Sequence, residues 1–176
     1  MPHYAICSVG ADRPGIVAAV TWALLEHGSN LEDTSMTILG GHFAMMLVVE
    51  AEAEAAELEA ALADPARAFD LTVTVRSIDD DTRRPPSGDP WTASIYGADR
   101  PGIVHHVARL LARHSVNIVD LSTRVIGERD RPVYAMVLDL TLPEGVDAAA
   151  VSSELADLAH DLGVECSLHP VEVDIL

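Results

Sequence analysis

The chain has 176 residues, 49% of them hydrophobic, which suits one medium domain or two small ones and excludes disorder throughout. Its 11 basic residues, all arginine, stand against 28 acidic ones, for a net charge of −17. Such a surface repels phosphate backbones, because non-specific nucleic-acid affinity comes mostly from counterion release at Lys and Arg contacts, so direct DNA binding is disfavoured.

The start of the chain, "MPHYAICSVGADRP", lacks a basic n-region and reaches Asp12 and Arg13 before a full apolar stretch. No apolar run approaches membrane-spanning length, so a soluble cytoplasmic protein is expected. Strand residues come first: "HYAICSV" is a β-branched and aromatic run ended by Gly10. A helix follows over 13–27, with Ile16, Val20 and Leu24 on one stripe. Asp12 is placed to N-cap it, Pro14 to occupy its first turn, and Gly28 to follow its end as the C′ residue. Two strands at 31–39 and 43–51 flank Gly40 and Gly41, a hairpin signal, and Phe43, Met45, Leu47 and Val49 alternate toward one face. The Ala/Glu-rich run 52–62 predicts a second helix, and 71–78 a closing strand.

The segment 80–91, within "DDDTRRPPSGDPW", is charged and rich in Pro, which suits an exposed linker between a first domain at 1–79 and a second at 92–176. The second half repeats the same order: strands at 92–96, 117–126, 133–142 and 164–174, with helices at 101–114 and 147–162. Pro170 makes the last strand an edge. The octet "GADRPGIV" stands at both 10–17 and 97–104, an offset of 97 − 10 = 87 residues, and 10–40 matches 97–127 at 15 of 31 positions. The chain is therefore an internal duplication of a βαββαβ unit. Tyr134, Met136, Leu138 and Leu140 answer Phe43, Met45, Leu47 and Val49 at an offset of 91, so the hairpin "GERDRPVY" has gained 91 − 87 = 4 residues and a longer tip. The expected class is α+β: two tandem ferredoxin-like units, each with both helices on one face of a four-stranded antiparallel sheet.

"DRPGIV" between a first strand and helix, followed by an Asn at the second strand ("GSNLED", "HSVNIVD"), resembles the ACT domain, the small-molecule-sensing module of amino-acid metabolism. In tandem, and with "ILGGHFAMMLV" after the first copy, it resembles the glycine cleavage system transcriptional repressor family. Similar units also precede catalytic domains in phosphoserine phosphatases and formyltetrahydrofolate deformylases. The resemblance implies a ligand near these segments, at the junction of paired units. Carried over residue by residue, it points to Asp12, Arg13, Pro14, Gly15 and Ile16 with Asn30, and to Asp99, Arg100, Pro101, Gly102 and Ile103 with Asn117.

Physical chemistry supplies roles for these residues. A helix N-terminus offers unpaired N–H groups and about half a positive charge to the carboxylate of a free amino acid. Gly15 and Gly102 admit a ligand to the backbone, Asn30 and Asn117 offer amide donors and acceptors, and Asp12 or Asp99 receives an ammonium group. Structural roles stand beside them: the aspartates as caps, the glycines as points of close packing, the asparagines as turn residues, Arg13 and Arg100 as solvated side chains, and His27 and His114 as C-terminal caps. Asp33 with Ser35, and Asp120 with Ser122, are expected on the strand face away from Asn30 and Asn117.

Cys7 and Cys166 lack metal spacing, and neither a nucleophile set nor a phosphate-binding loop recurs, so no catalytic residue, metal or cofactor is expected. The leading expectation is a non-enzymatic sensor of a small amino acid such as glycine or serine that acts on a partner protein, a transcription regulator among the candidates, with a homodimer open. An oligomerisation module without ligand and an enzyme of amino-acid metabolism are the alternatives.

Overall fold

A computed structural model of the chain describes residues 1–79, 87–126 and 132–171. It divides into two compact units, Met1–Arg84 and Pro85–Leu176. The first runs β1 (His3–Ala11), α1 (Ile16–Glu26), β2 (Asn30–Leu39), β3 (His42–Glu50), α2 (Ala55–Phe69) and β4 (Thr72–Ile78). The second runs β5 (Asp89–Gly97), α3 (Ile103–Arg113), β6 (Asn117–Ile126), β7 (Val133–Leu142), α4 (Ala148–Leu162) and β8 (Val164–Pro170). The linker residues 80–86, the hairpin tip 127–131 and the end of the last strand beyond Val171 lie outside the described residues.

Each unit folds into a four-stranded antiparallel sheet, ordered β2-β3-β1-β4 and β6-β7-β5-β8. Period-two alternation puts Phe43, Met45, Leu47 and Val49 on the inner face of β3, where Ile16, Val20 and Leu24 of α1 and Leu58 and Leu62 of α2 cover them. In the second unit Tyr134, Met136, Leu138 and Leu140 meet Ile103, Val107, Leu111, Val151 and Leu155. Gly40 and Gly41 both hold positive φ, 57° and 81°, as the tight turn of a right-twisted hairpin requires. Pro170 ends β8, which is an edge strand, where its missing N–H costs no ladder bond.

Four sequence expectations change. The helix expected from residue 13 begins at Ile16, and its N-cap is Gly15; Asp12 and Pro14 lie upstream of it, so Asp12 makes no cap hydrogen bond. Asp99 and Pro101 stand in the same relation to Gly102 and α3. The chain needs a left-handed residue to turn from strand into helix, and Gly15 (φ 98°) and Gly102 (φ 94°) supply it immediately before the first helical residue. The helix expected over 52–62 runs through Pro65 to Phe69, held by the core contacts of Leu58 and Leu62 and closed by Asp70 at φ 55°. Asp89, Pro90 and Trp91, read as the end of the linker, pair with Leu142, Thr141 and Leu140 as the start of β5.

The fourth change concerns strand faces. The ladder of β2 slips between Leu31 and Asp33, and that of β6 between Ile118 and Asp120. A bulge inserts one residue, Glu32 or Val119, and reverses the alternation beyond it. Asn30 opposes Glu50, Asp33 opposes Val48 and Ser35 opposes Met46. All three partners lie on the face opposite the buried residues of β3, so Asn30 shares a face with Asp33 and Ser35, as Asn117 does with Asp120 and Ser122.

Candidate functional site

The octet does two different structural jobs with its glycines. A Cβ on Gly10 would lie 2.6 Å from Leu71 Cδ2 and 2.9 Å from the Asp70 carbonyl oxygen; one on Gly97 would lie 2.7 Å from Val164 Cγ1. These first glycines let the turn after α2 or α4 press onto the central strand. Gly15 has room for a methyl group, 3.5 Å from Phe69, and at Gly102 a methyl group would displace the His106 ring, 3.3 Å away, only slightly, but both glycines hold a left-handed backbone. Ile16 and Ile103 follow, each 1% exposed, and anchor the helix in the core.

The four helices differ at their N-termini. Asp147 caps α4 by accepting from Ala149 N at 2.9 Å and Ala150 N at 3.3 Å, and Glu54 and Glu57 form a reciprocal capping box on α2. Neither α1 nor α3 has a side-chain cap or an acidic residue in its first turn. Their first-turn N–H groups and the positive end of the helix dipole are thus left to whatever approaches the octet. The carboxylates of Asp12 and Asp99 stand exposed beside these ends.

Around the first octet lies a groove of about 480 Å³ with Asp12, Arg13 and Pro14 at the rim and Met36 and Phe43 as its apolar floor. The Asp12 amide donates to the Gly41 carbonyl at 2.9 Å, tying the loop to the hairpin turn. At the repeat offsets the second unit has Thr123 and Tyr134 where the first has Met36 and Phe43, a polar pair in place of an apolar one. Burial pushes the Tyr134 phenol up from its ordinary pKa, a hydrogen bond with Thr123 opposes the rise, and the Asp99 carboxylate adds to it. Phe43 and Tyr134 read from sequence as core alternation, and Met36 and Thr123 as residues within the second strand of each unit, so none of the four was marked as a neighbour of the octet.

The arginines part company as well. Arg13 is exposed. The Arg100 guanidinium lies over Gly163, 3.2–3.3 Å from where a Cβ would stand, at the C-terminus of α4 where the helix dipole is negative. His27 Nδ1 meets the Ala23 carbonyl at 2.9 Å in the last turn of α1, the capping place expected of it, and His114 Nε2 pairs with Glu154 at 3.2 Å.

Asn30 and Asn117 are not brought to the octets of their own units. Gly10 opposes Phe43 while Asn30 opposes Glu50, 50 − 43 = 7 residues further along β3. Gly97 opposes Tyr134 while Asn117 opposes Thr141, again 7 residues away. At about 3.4 Å per residue this is roughly 24 Å, more than one small amino acid spans. Asn30 instead borders a separate depression at the far end of α1, lined also by Trp22, Leu25, Ser29 and Leu31.

Comparison with known proteins accords with this architecture. The chain is 27% identical over 173 residues to the glycine cleavage system transcriptional repressor of Escherichia coli K12, covering 96% of this chain and 90% of the relative. Among solved structures, an unknown protein from Galdieria sulphuraria superposes with a TM-score of 0.84 at 26% identity, over 97% of this chain and 99% of the other. A candidate glycine cleavage system transcriptional repressor shares the fold, with a TM-score of 0.70 at 19% identity over 98% of both chains. No helix among the described residues is long and apolar enough to cross a membrane. The ACT domain model matches residues 5–76 and again 92–169, one copy on each βαββαβ unit, and the chain therefore belongs to the ACT-domain family.

Proposed function

We propose that the protein is a non-catalytic regulator that binds a free amino acid, glycine and serine being the first candidates, and modulates a partner protein. The observation that carries this reading is the pair of octet helices, α1 and α3, whose N-termini are left uncapped while α2 and α4 are capped by their own side chains. An uncapped helix start receives a carboxylate, and the exposed Asp12 and Asp99 beside it receive an ammonium group. The rest of the proposed ligand set is Arg13, Pro14, Gly15 and Ile16, their counterparts Arg100, Pro101, Gly102 and Ile103, and Asn30 and Asn117, the last two contacting a different part of the ligand or a different ligand. A ligand with unequal affinity for two arrangements of the protein shifts their populations, which is all that allosteric regulation requires.

Likeness to a transcriptional repressor named for the glycine cleavage system supports a partner in transcriptional control of glycine and one-carbon metabolism. A net charge of −17 favours action through a protein and not on DNA directly. Calorimetric titration of the full chain with the common amino acids tests the reading. Glycine or serine binding that weakens in Asp12→Ala or Asp99→Ala supports it; no binding of any amino acid at millimolar concentration overturns it. The exposed edge strands β2 and β6 favour a second reading, an association module without ligand, for which those variants leave every property intact.

A further inference from the structure

Two hydroxyls are sealed in the core of the first unit without a hydrogen bond. The Oγ atoms of Ser8, on β1, and Ser29, between α1 and β2, each have less than 1 Å² of accessible surface and no partner among the described residues. Ser8 opposes Met45 on one side and Val73 on the other, both against the helix-covered face, so its hydroxyl is enclosed by apolar groups. A hydroxyl buried in this way gives up its bonds to water and gains none in return, which weakens the fold that encloses it. At the offset of 87 residues the second unit carries Ile95 and Val116, 0% and 5% exposed, and buries methyl groups in the same two places.

Other core exchanges point the same way. Ala23 and Ala51 of the first unit answer Leu110 and Leu142 of the second, at offsets of 87 and 91, and all four are buried. Ile6 against Ala93 runs in the other direction, and the left-handed Ser115 strains the end of α3, so these offset part of the difference. Apolar burial is the main favourable term in folding and grows with the area removed from water, which leaves the first core the weaker. The helix pairs differ in charge as well: α3 and α4 are bridged by Arg113 and His114 to Glu154, at 3.4 and 3.2 Å. No ion pair joins α1 to α2 among the described residues; Glu26 shares their groove with Glu57 and Asp64, and Asp64 is bridged only within its own helix, by Arg67 at 3.1 Å. Exposed ion pairs are worth little, so the buried hydroxyls and the smaller core decide the comparison.

We infer that the first unit is a labile element that opens as a cooperative whole while the second stays folded. The two cores are separate clusters, so each unit is its own cooperative step and the weaker one opens first. Anything that binds the first unit only in its folded form shifts this equilibrium by mass action, and binding there is read out as order in one half of the chain. The inference does not depend on which ligand the octets take.

The test is hydrogen exchange of the full chain without ligand, resolved by peptide along a urea series. The slowest amides of β1 and β3 are expected to exchange about a hundredfold faster than those of β5 and β7, and to lose protection together at lower urea. Ser8→Ala and Ser29→Ala, which delete a hydroxyl and add no volume, are each expected to slow exchange about tenfold throughout the first unit and to leave the second unchanged. The reverse exchange, Val116→Ser, is expected to speed exchange in the second unit by at least about tenfold and so to narrow the gap between the halves. Equal protection of the two halves, or a second unit that opens first, overturns the inference. Serine-to-alanine variants that both leave first-unit protection unchanged or lower it, with a Val116→Ser that leaves the second unit unmoved, also overturn it.

Discussion

The two octets have the same eight residues and nearly the same backbone, φ 98° at Gly15 and 94° at Gly102, yet they stand on different floors. Met36 and Phe43 lie beneath the first; Thr123 and Tyr134 hold the corresponding places in the second. Backbone demands account for the repeated glycines: no room for a Cβ at the first and a left-handed turn at the second. What differs lies outside the loop, so the side chains around it diverge between the halves while the turn stays constant.

The comparison breaks most visibly if either first glycine is enlarged. Gly10→Ala and Gly97→Ala should each destabilise their own unit by about 2 kcal/mol, since overpacking against the Asp70 or Val164 backbone has no flexible side chain alone to move. Hydrogen exchange resolved by unit reads this, and loss of protection confined to the mutated half is the expected result.

Next in size is the helix-cap contrast. Asp147→Ala should cost about 1 kcal/mol by removing two hydrogen bonds to α4, while Asp12→Ala and Asp99→Ala, which cap nothing, should stay within about 0.5 kcal/mol of the parent. Urea unfolding measures all three. Equal losses would restore the aspartates as caps and remove the free helix ends on which the proposed site stands.

A smaller effect sharpens the comparison at the other end of the helices. Both α1 and α3 end in the same pair of backward bonds, Gly28 N to Leu25 O with Ser29 N to Leu24 O, and Ser115 N to Ala112 O with Val116 N to Leu111 O. The left-handed residue is Gly28 (φ 66°) in one and Ser115 (φ 57°) in the other. Ser115→Gly should therefore stabilise the second unit by about 0.5–1 kcal/mol, and Gly28→Ser should destabilise the first by a similar amount, as thermal melts will show.

The smallest expected effect is alkaline. Burial raises the Tyr134 phenol and the Cys166 thiol above their ordinary values, and both belong to the second unit. A folded pKa above the unfolded one means stability that is complete below the unfolded value and is lost as pH climbs through the folded value. The second unit should weaken above about pH 9, and Tyr134→Phe with Cys166→Ser should flatten that slope in pH-dependent unfolding.

Much of the fold was legible in local pattern. The period-two run from Phe43 to Val49, the Gly40–Gly41 turn and the His27–Gly28 helix end all depend on neighbours in sequence, and each appears where expected. The Ala/Glu-rich run 52–62 marked only part of α2, because the core contacts of Leu58 and Leu62 carry the helix through Pro65 to Phe69. The candidate site was legible in its loops but not in its grouping. Asn30 follows its octet closely in sequence, but α1 runs the length of the sheet between them and sets them at opposite ends.

By itself the sequence determined the duplication and the order of elements, because identity at a constant offset and hydrophobic periodicity are properties of short segments. Tertiary structure alone decided that Gly15 and Gly102 stand as N-caps in place of Asp12 and Asp99, that bulges at Glu32 and Val119 turn Asn30 and Asn117 to the face of Asp33 and Asp120, and which side chains floor each octet. Each of these depends on register and packing between residues far apart in the chain, where a one-residue slip reverses a face and no local propensity speaks.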